Sequence, residues 1–257
     1  MPRNDSSVAE YPRYGHHVLY NSLADVIDAD RHLTLSDRVS VLDDLIDVIR
    51  AHKVQDLAGI RLLHRHCSIA ADEIMVEQDR DEDRGPTLAT RPEHFAGLNR
   101  PVTPNSYCFI EGQWQPVEYS DDPIVREAAE HLIERQEFLA DFASTLERRG
   151  VSDTLGLLVA PRSFYEKAAP AGRPLLVESS YEESRENIVR YHASEDFEQN
   201  KLLQTVWLAA DSMLAASCPT LCSMKCAIKM LCTEGNSGEH KQTVGHNSTH
   251  PKDHWTK

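Results

Sequence analysis

Residues 57–78 read LAGIRLLHRHCSIAADEIMVEQ, and whether they run as strand or as helix decides what this chain can be. Ile60, Leu62, His64 and His66 alternate with Arg61, Arg65 and Cys67 at the two-residue period of a strand, and Leu63 is out of step. Residues 68–72 are small and polar enough to turn the chain, so that 73–77 returns as a second strand. Two histidines at i and i+2 share a face only on a strand, because on a helix they would stand about 200° apart. With the turn at 68–71, Cys67 pairs with Asp72 and His66 lies opposite Glu73, which predicts two imidazoles and one carboxylate on one face of a hairpin.

The flanking sequence frames this hairpin. Ser36 is a plausible N-cap for a helix in which Val39, Leu42, Leu45, Ile46 and Ile49 recur at helical spacing through Ala51. After Gln78 the run DRDEDRGP reads as a solvated loop, and the proline-bearing stretch 86–105 as an irregular connection. SYCFIEGQWQPVEYS predicts a hairpin turning at Glu111-Gly112. Asp122 and Pro123 start a long helix, its apolar stripe running from Ile124 to Leu146, which Gly150 stops. Apolar runs near 155–160, 174–179, 186–192 and 202–210 read as strands.

Together these predict an α+β protein: an antiparallel or mixed sheet packed with two main helices. Residues 1–15 are expected to form a flexible arm, 16–217 a single α+β domain, and 218–257 a largely disordered Cys/His-rich tail. That tail holds Cys218, Cys222, Cys226 and Cys232, followed by His240, His246, His250 and His254. Thiolate and imidazole are zinc and copper(I) ligands, but the CxxC knuckle of structural zinc sites is absent.

Charge and composition narrow the partners. The 257 residues carry 41 acidic and 27 basic side chains, a formal net charge of -14, which opposes phosphate backbones and anionic lipid. No nucleic acid or membrane partner is therefore expected. The opening residues MPRNDSSVAE lack a secretory apolar stretch, so the expected address is cytoplasmic, with cysteines reduced. No Gly-rich phosphate loop, GxSxG, HExxH or CxxC is present, which leaves the commonest nucleotide, hydrolase, metalloprotease and dithiol classes without support.

The order Gly59, His64, His66, Glu73, Gly85 resembles the first cupin motif, with a longer gap from His66 to Glu73 than that motif has; His94 and His192 are the residues of the right type to complete it. The stretch GIRLLHRHCSIAADEIMVE is also similar to one in uncharacterised fungal proteins, a resemblance that implies no activity. The residues themselves predict one zinc or iron ion on His64, His66 and Glu73, with coordination positions open to a small-molecule substrate. Two rival readings remain: a non-catalytic binding or scaffold protein whose tail holds a metal or a partner, and thiol chemistry at Cys67, which strand geometry points away from its flanking histidines.

Overall fold

The computed structural model describes residues 15–82, 85–166, 175–192, 202–209, 223–227, 229–234 and 240–245, the last three segments as backbone alone. Among these residues there are five α-helices: His16–Ser22 (α1), Val26–Leu35 (α2), Arg38–Ala51 (α3), Pro123–Ile133 (α4) and Gln136–Arg149 (α5). The strands are Ala58–Leu62 (β1), Glu73–Glu82 (β2), Gly85–His94 (β3), Thr103–Ile110 (β4), Gln113–Ser120 (β5), Leu155–Val159 (β6), Leu175–Tyr181 (β7), Glu186–His192 (β8), Leu202–Trp207 (β9), Ser223–Ala227 (β10), Lys229–Glu234 (β11) and His240–Gly245 (β12). The first ten close a barrel in the order β1-β6-β4-β5-β2-β3-β8-β7-β10-β9, and β11 and β12 form a separate pair. Two contacts, β2 with β5 and β10 with β7, are parallel and the others antiparallel, so the sheet is mixed and the class α+β. No helix among the described residues is long and apolar enough to cross a membrane.

Local chemistry accounts for most elements. Val41, Leu45 and Ile49 bury one stripe of α3, and the two longest helices, α3 and α5, meet over the outside of the barrel. Ser36 ends α2 instead of starting α3: its hydroxyl donates to the His32 carbonyl at 3.0 Å, and Asp37 crosses to α3 at φ 59°. The Asp122 carboxylate accepts the Ile124 N–H at 2.9 Å, and Gly150 closes α5 at φ 66°. The single long helix expected here is two, broken at Glu134-Arg135, where no glycine or proline marks the break; both pieces bury apolar residues in the same cluster. Glu111 and Gly112 both take positive φ, as a two-residue hairpin turn between twisted strands requires.

The charge run 79–82 is strand, not loop. The β2–β3 ladder runs from Glu73↔His94 to Glu82↔Gly85, and β8 supplies opposite charges, with Arg80 to Glu186 at 2.7 Å and Arg190 to Glu82 at 2.5 Å. Likewise, residues 86–94 of the supposed irregular stretch belong to β3. Its ladder with β8 is confined to Leu88–Thr90, so neither Pro86 nor Pro92 has to donate a hydrogen bond on that side.

Cross-strand partners share a face, and the registers trace one face around the barrel. Arg61 pairs with Gly156, Ser106 with Leu158 and with Glu118, Glu77 with Ser120 and with Thr90, Thr90 with Asn187, and Asn187 with Ser180. That face is the interior. The opposite face, carrying Ile60, Leu62, Tyr107, Leu155 and Leu157, packs on the helices in the largest apolar cluster. One end of the interior is apolar, filled by Leu88, Leu158, Leu176, Val189 and Val206 against Phe164. The middle is charged.

Gly156 marks the tightest approach in this wall. A Cβ there would lie 2.3 Å from the Tyr107 carbonyl oxygen and 2.6 Å from Leu63 Cδ2. Backbone cannot yield as a side chain does, so Gly156→Ala is expected to lower stability by about 1–3 kcal/mol. Urea unfolding measures this, and a midpoint equal to wild type would show that β4 and β6 can separate at no cost.

Candidate metal centre

β1 stops at Leu62, two residues before the first histidine. The Leu63 N–H still donates to the Thr154 carbonyl at 2.8 Å, but Leu62 packs with the outer cluster and Leu63 with the cluster around Tyr20 and Met75. This interruption turns the following residues round. His64 and His66 therefore lie inside the barrel with Arg61, not on the Ile60 and Leu62 face that alternation predicts. The irregular segment is pinned locally, because the His66 N–H donates to the Tyr20 hydroxyl at 3.2 Å and the Arg65 N–H to the Ala24 carbonyl at 3.1 Å.

The two imidazoles do come together, with ring centroids 4.8 Å apart and planes at 78°. The carboxylate that joins them is Glu178 of β7, not Glu73. His64, His66 and Glu178 offer one ligand atom each within 4.8 Å of one another, with His64 Nε2 3.1 Å from Glu178 Oε1. All three are buried, exposing 2 %, 7 % and 0 %. β2 pairs with β3 and β5 rather than with β1, so the expected hairpin does not form. Glu73 is instead held by Arg185, at 3.0 Å and 2.6 Å, and by the Ala70 N–H at 2.7 Å. Gly85 lies at the far end of the same β2–β3 hairpin, and His94 is exposed beside Asp72, so the cupin-like order does not converge.

Hydrogen bonding fixes the state of His64. Nδ1 lies 2.8 Å from the Leu62 carbonyl oxygen, which can only accept, so Nδ1 carries a proton and in the neutral ring Nε2 presents a lone pair toward Glu178. The Glu178 carboxylate meets His64 Nε2 at 3.1 Å, a buried carboxylate–imidazole pair. Burial pushes the Glu178 carboxyl up, yet His64, with His66 and Arg61 beyond it, holds it well below the ordinary carboxylate range. The result is a buried anion facing an imidazole nitrogen.

His66 sits in a fuller network. Its Nδ1 is 3.2 Å from Ser180 Oγ, whose hydroxyl donates to Asn187 Oδ1 at 3.1 Å. Its Nε2 is 3.2 Å from an Arg61 guanidinium nitrogen and 3.1 Å from Glu118 Oε1. Arg61 pairs with Glu118 Oε2 at 3.0 Å. Burial lowers the His66 pKa, which favours the neutral ring that a metal requires. For Glu118 burial works upward, but Arg61 and then His66 outweigh it and bring the carboxyl to about 2.

Arg61, Glu118 and Glu178 share a sequence signal that local patterning missed: each is the single charge in its strand. Such a charge, on the face that alternation assigns to a core, marks an interior that is polar on purpose. Cys67 is not activated. Burial pushes its thiol up, and its sulfur lies 3.8 Å from the Arg185 carbonyl and 4.0 Å from the Met75 sulfur, surroundings that disfavour a thiolate. In the tail, Cys226 lies in β10, Cys232 in β11 and His240 in β12, whereas Cys218, Cys222, His246, His250 and His254 lie outside the described residues.

Compared with known families, curated proteins and solved structures, the chain matches none. The fold and the site define it by themselves: a mixed barrel, helices on its outer face, with a buried His-His-Glu group that could hold a metal ion.

Proposed function

We propose that the protein is a metal-dependent enzyme whose barrel interior holds one zinc or iron ion through His64, His66 and Glu178. The observation that carries this reading is the convergence of three buried groups, His64, His66 and Glu178, which offer one ligand atom each within 4.8 Å of one another, with the Glu178 carboxylate 3.1 Å from His64 Nε2. Two acceptors at that distance need a cation between them, either a proton or a metal. Two imidazoles and one carboxylate are a catalytic ligand set, leaving positions for water or a substrate oxygen, whereas structural zinc sites fill all four positions with protein. When bound there, the metal would polarise a substrate oxygen or lower the pKa of a bound water. Ser180 lies at His66 Nδ1 and Arg61 with Glu118 at Nε2, so one of these contacts would give way to the metal while the other orients the ring; such outer partners tune both affinity and activity.

The test is metal content, measured by elemental analysis on the full chain purified without a metal column. Wild type is expected to carry one equivalent more zinc or iron than Glu178→Gln or the double change His64→Ala, His66→Ala. The tail cysteines and histidines are identical in all three proteins, so any metal they take cancels in the difference. Equal content in all three would mean that an imidazolium at His64 closes the charge and that no metal sits in the barrel.

A further inference from the structure

Resting on that metal reading, we infer that Arg185 is the latch of the centre: it ties the segment carrying His64 and His66 to the hairpin carrying Glu178, and so sets how slowly a bound ion escapes. Among the described residues the ligands come from two parts of the chain that share no ladder. His64 and His66 lie on the stretch between β1 and β2, and Glu178 on β7, whose ladder partners are β8 and β10. Away from the ligands, Arg185 joins the two. Its guanidinium grips both oxygens of Glu73, at 3.0 Å and 2.6 Å, and donates to the Ser68 carbonyl at 2.6 Å, while its own carbonyl lies 3.8 Å from the Cys67 sulfur. A fork on a carboxylate that is itself nearly buried holds more than an exposed ion pair does.

The backbone singles out the same residue. Arg185 ends the β7–β8 turn at φ 54°, in the left-handed region that glycine or asparagine ordinarily takes. A long side chain kept there against that preference answers to what it holds. The latch also stands at the end of the barrel away from the apolar plug. β7 runs from Leu176, packed in the cluster with Phe164, through Glu178 and Ser180 to the turn that carries Arg185. The latched stretch therefore crosses the other end, where Ser68, Ala70, Ala71 and Asp72 face solvent and His66 behind them is buried. On its far side this stretch is fixed to α1, since Asn21 accepts the Ile69 N–H and donates to the Ile69 carbonyl, both at 2.9 Å. Lifting residues 66–73 off the turn takes His66 away from Glu178 and admits water, and exposes little surface compared with unfolding.

The test is the rate at which a strong chelator draws zinc from the loaded full chain, counting the equivalent that Glu178→Gln lacks. Arg185→Gly removes the latch while suiting the backbone, so its urea midpoint is expected to stay close to wild type. Its zinc release is expected to be about tenfold faster or more, the factor that hydrogen bonds to a charged group contribute. Glu73→Gln, which loosens the same pair from the other side, should speed release as well, and the double change should add nothing to the larger of the two. Well below the midpoint, release should hardly respond to urea, because a local opening exposes little surface. Release from Arg185→Gly at the wild-type rate, additive effects of the two changes, or release that climbs with urea as steeply as global unfolding overturns the latch and leaves the metal reading standing. If no equivalent of zinc depends on Glu178, both fall together.

Discussion

Arg61→Met is expected to lower stability by about 3–5 kcal/mol, the cost of stranding one member of a buried ion pair. Arg61 exposes 5 % of its surface and Glu118 1 %, and their charged atoms are 3.0 Å apart, so the carboxylate is left buried without its partner once the guanidinium is gone. Methionine keeps much of the side-chain length, so the loss reports the charge and not a cavity. The double change Arg61→Met, Glu118→Gln removes both charges and should recover most of the difference, because a pair replaced as a whole costs far less than a pair broken. Urea unfolding of the three proteins decides it. A single change that costs less than about 1 kcal/mol would place the pair in the class of solvated surface bridges and would contradict a closed barrel interior.

Acid should weaken the protein through His16, at the opposite side of β5 from that network. Burial, helped by the neighbouring His17, lowers the His16 pKa from 6.5 to about 4, against a smaller upward pull from the Pro116 carbonyl; its ring meets Tyr119 edge-on at 5.7 Å. The folded state thus favours the neutral ring. Above pH 6.5 the contribution is fully present; from there down to about 4 the unfolded chain binds the proton and the folded one does not, so stability falls; below about 4 the loss is complete. Two and a half units correspond to about 3 kcal/mol. Carboxylates add acid sensitivity of their own, so the readout is a difference: the stability gap between wild type and His16→Gln should narrow or invert across that pH range. A gap constant with pH would mean that His16 titrates as an ordinary exposed imidazole.

Where sequence and structure agree, the deciding information is local. The Glu111-Gly112 turn, the Asp122 cap and the Val41, Leu45, Ile49 stripe each depend on residues within a few positions of one another. Where they differ, the partner is remote. Nothing in residues 57–78 says that β1 will pair with β6 and β9 rather than with β2. Without that pairing the carboxylate facing the histidines could only be looked for nearby, and Glu73 was the nearest. The charged end of β2 reads as loop for the same reason, since the arginine and glutamate that neutralise it stand on β8. The two histidines were found through a strand face that they do not occupy. Leu63 was the visible irregularity, and its effect, a reversal of side, depends on the chain leaving the sheet after Leu62.

The wall of the barrel also sets an order of events during synthesis. β1 is made early, but its second neighbour, β9, lies beyond residue 201, and β10 comes later still. Contacts across such a separation form slowly, since the intervening chain must first be brought round. Until then His64 and His66 face water while Glu178, already translated, waits on a sheet with an open side. On the metal reading proposed above, the interval between translation and closure is when an ion would reach ligands that the finished wall buries, and metal supply during folding, rather than exchange afterwards, would govern how much of the protein is loaded.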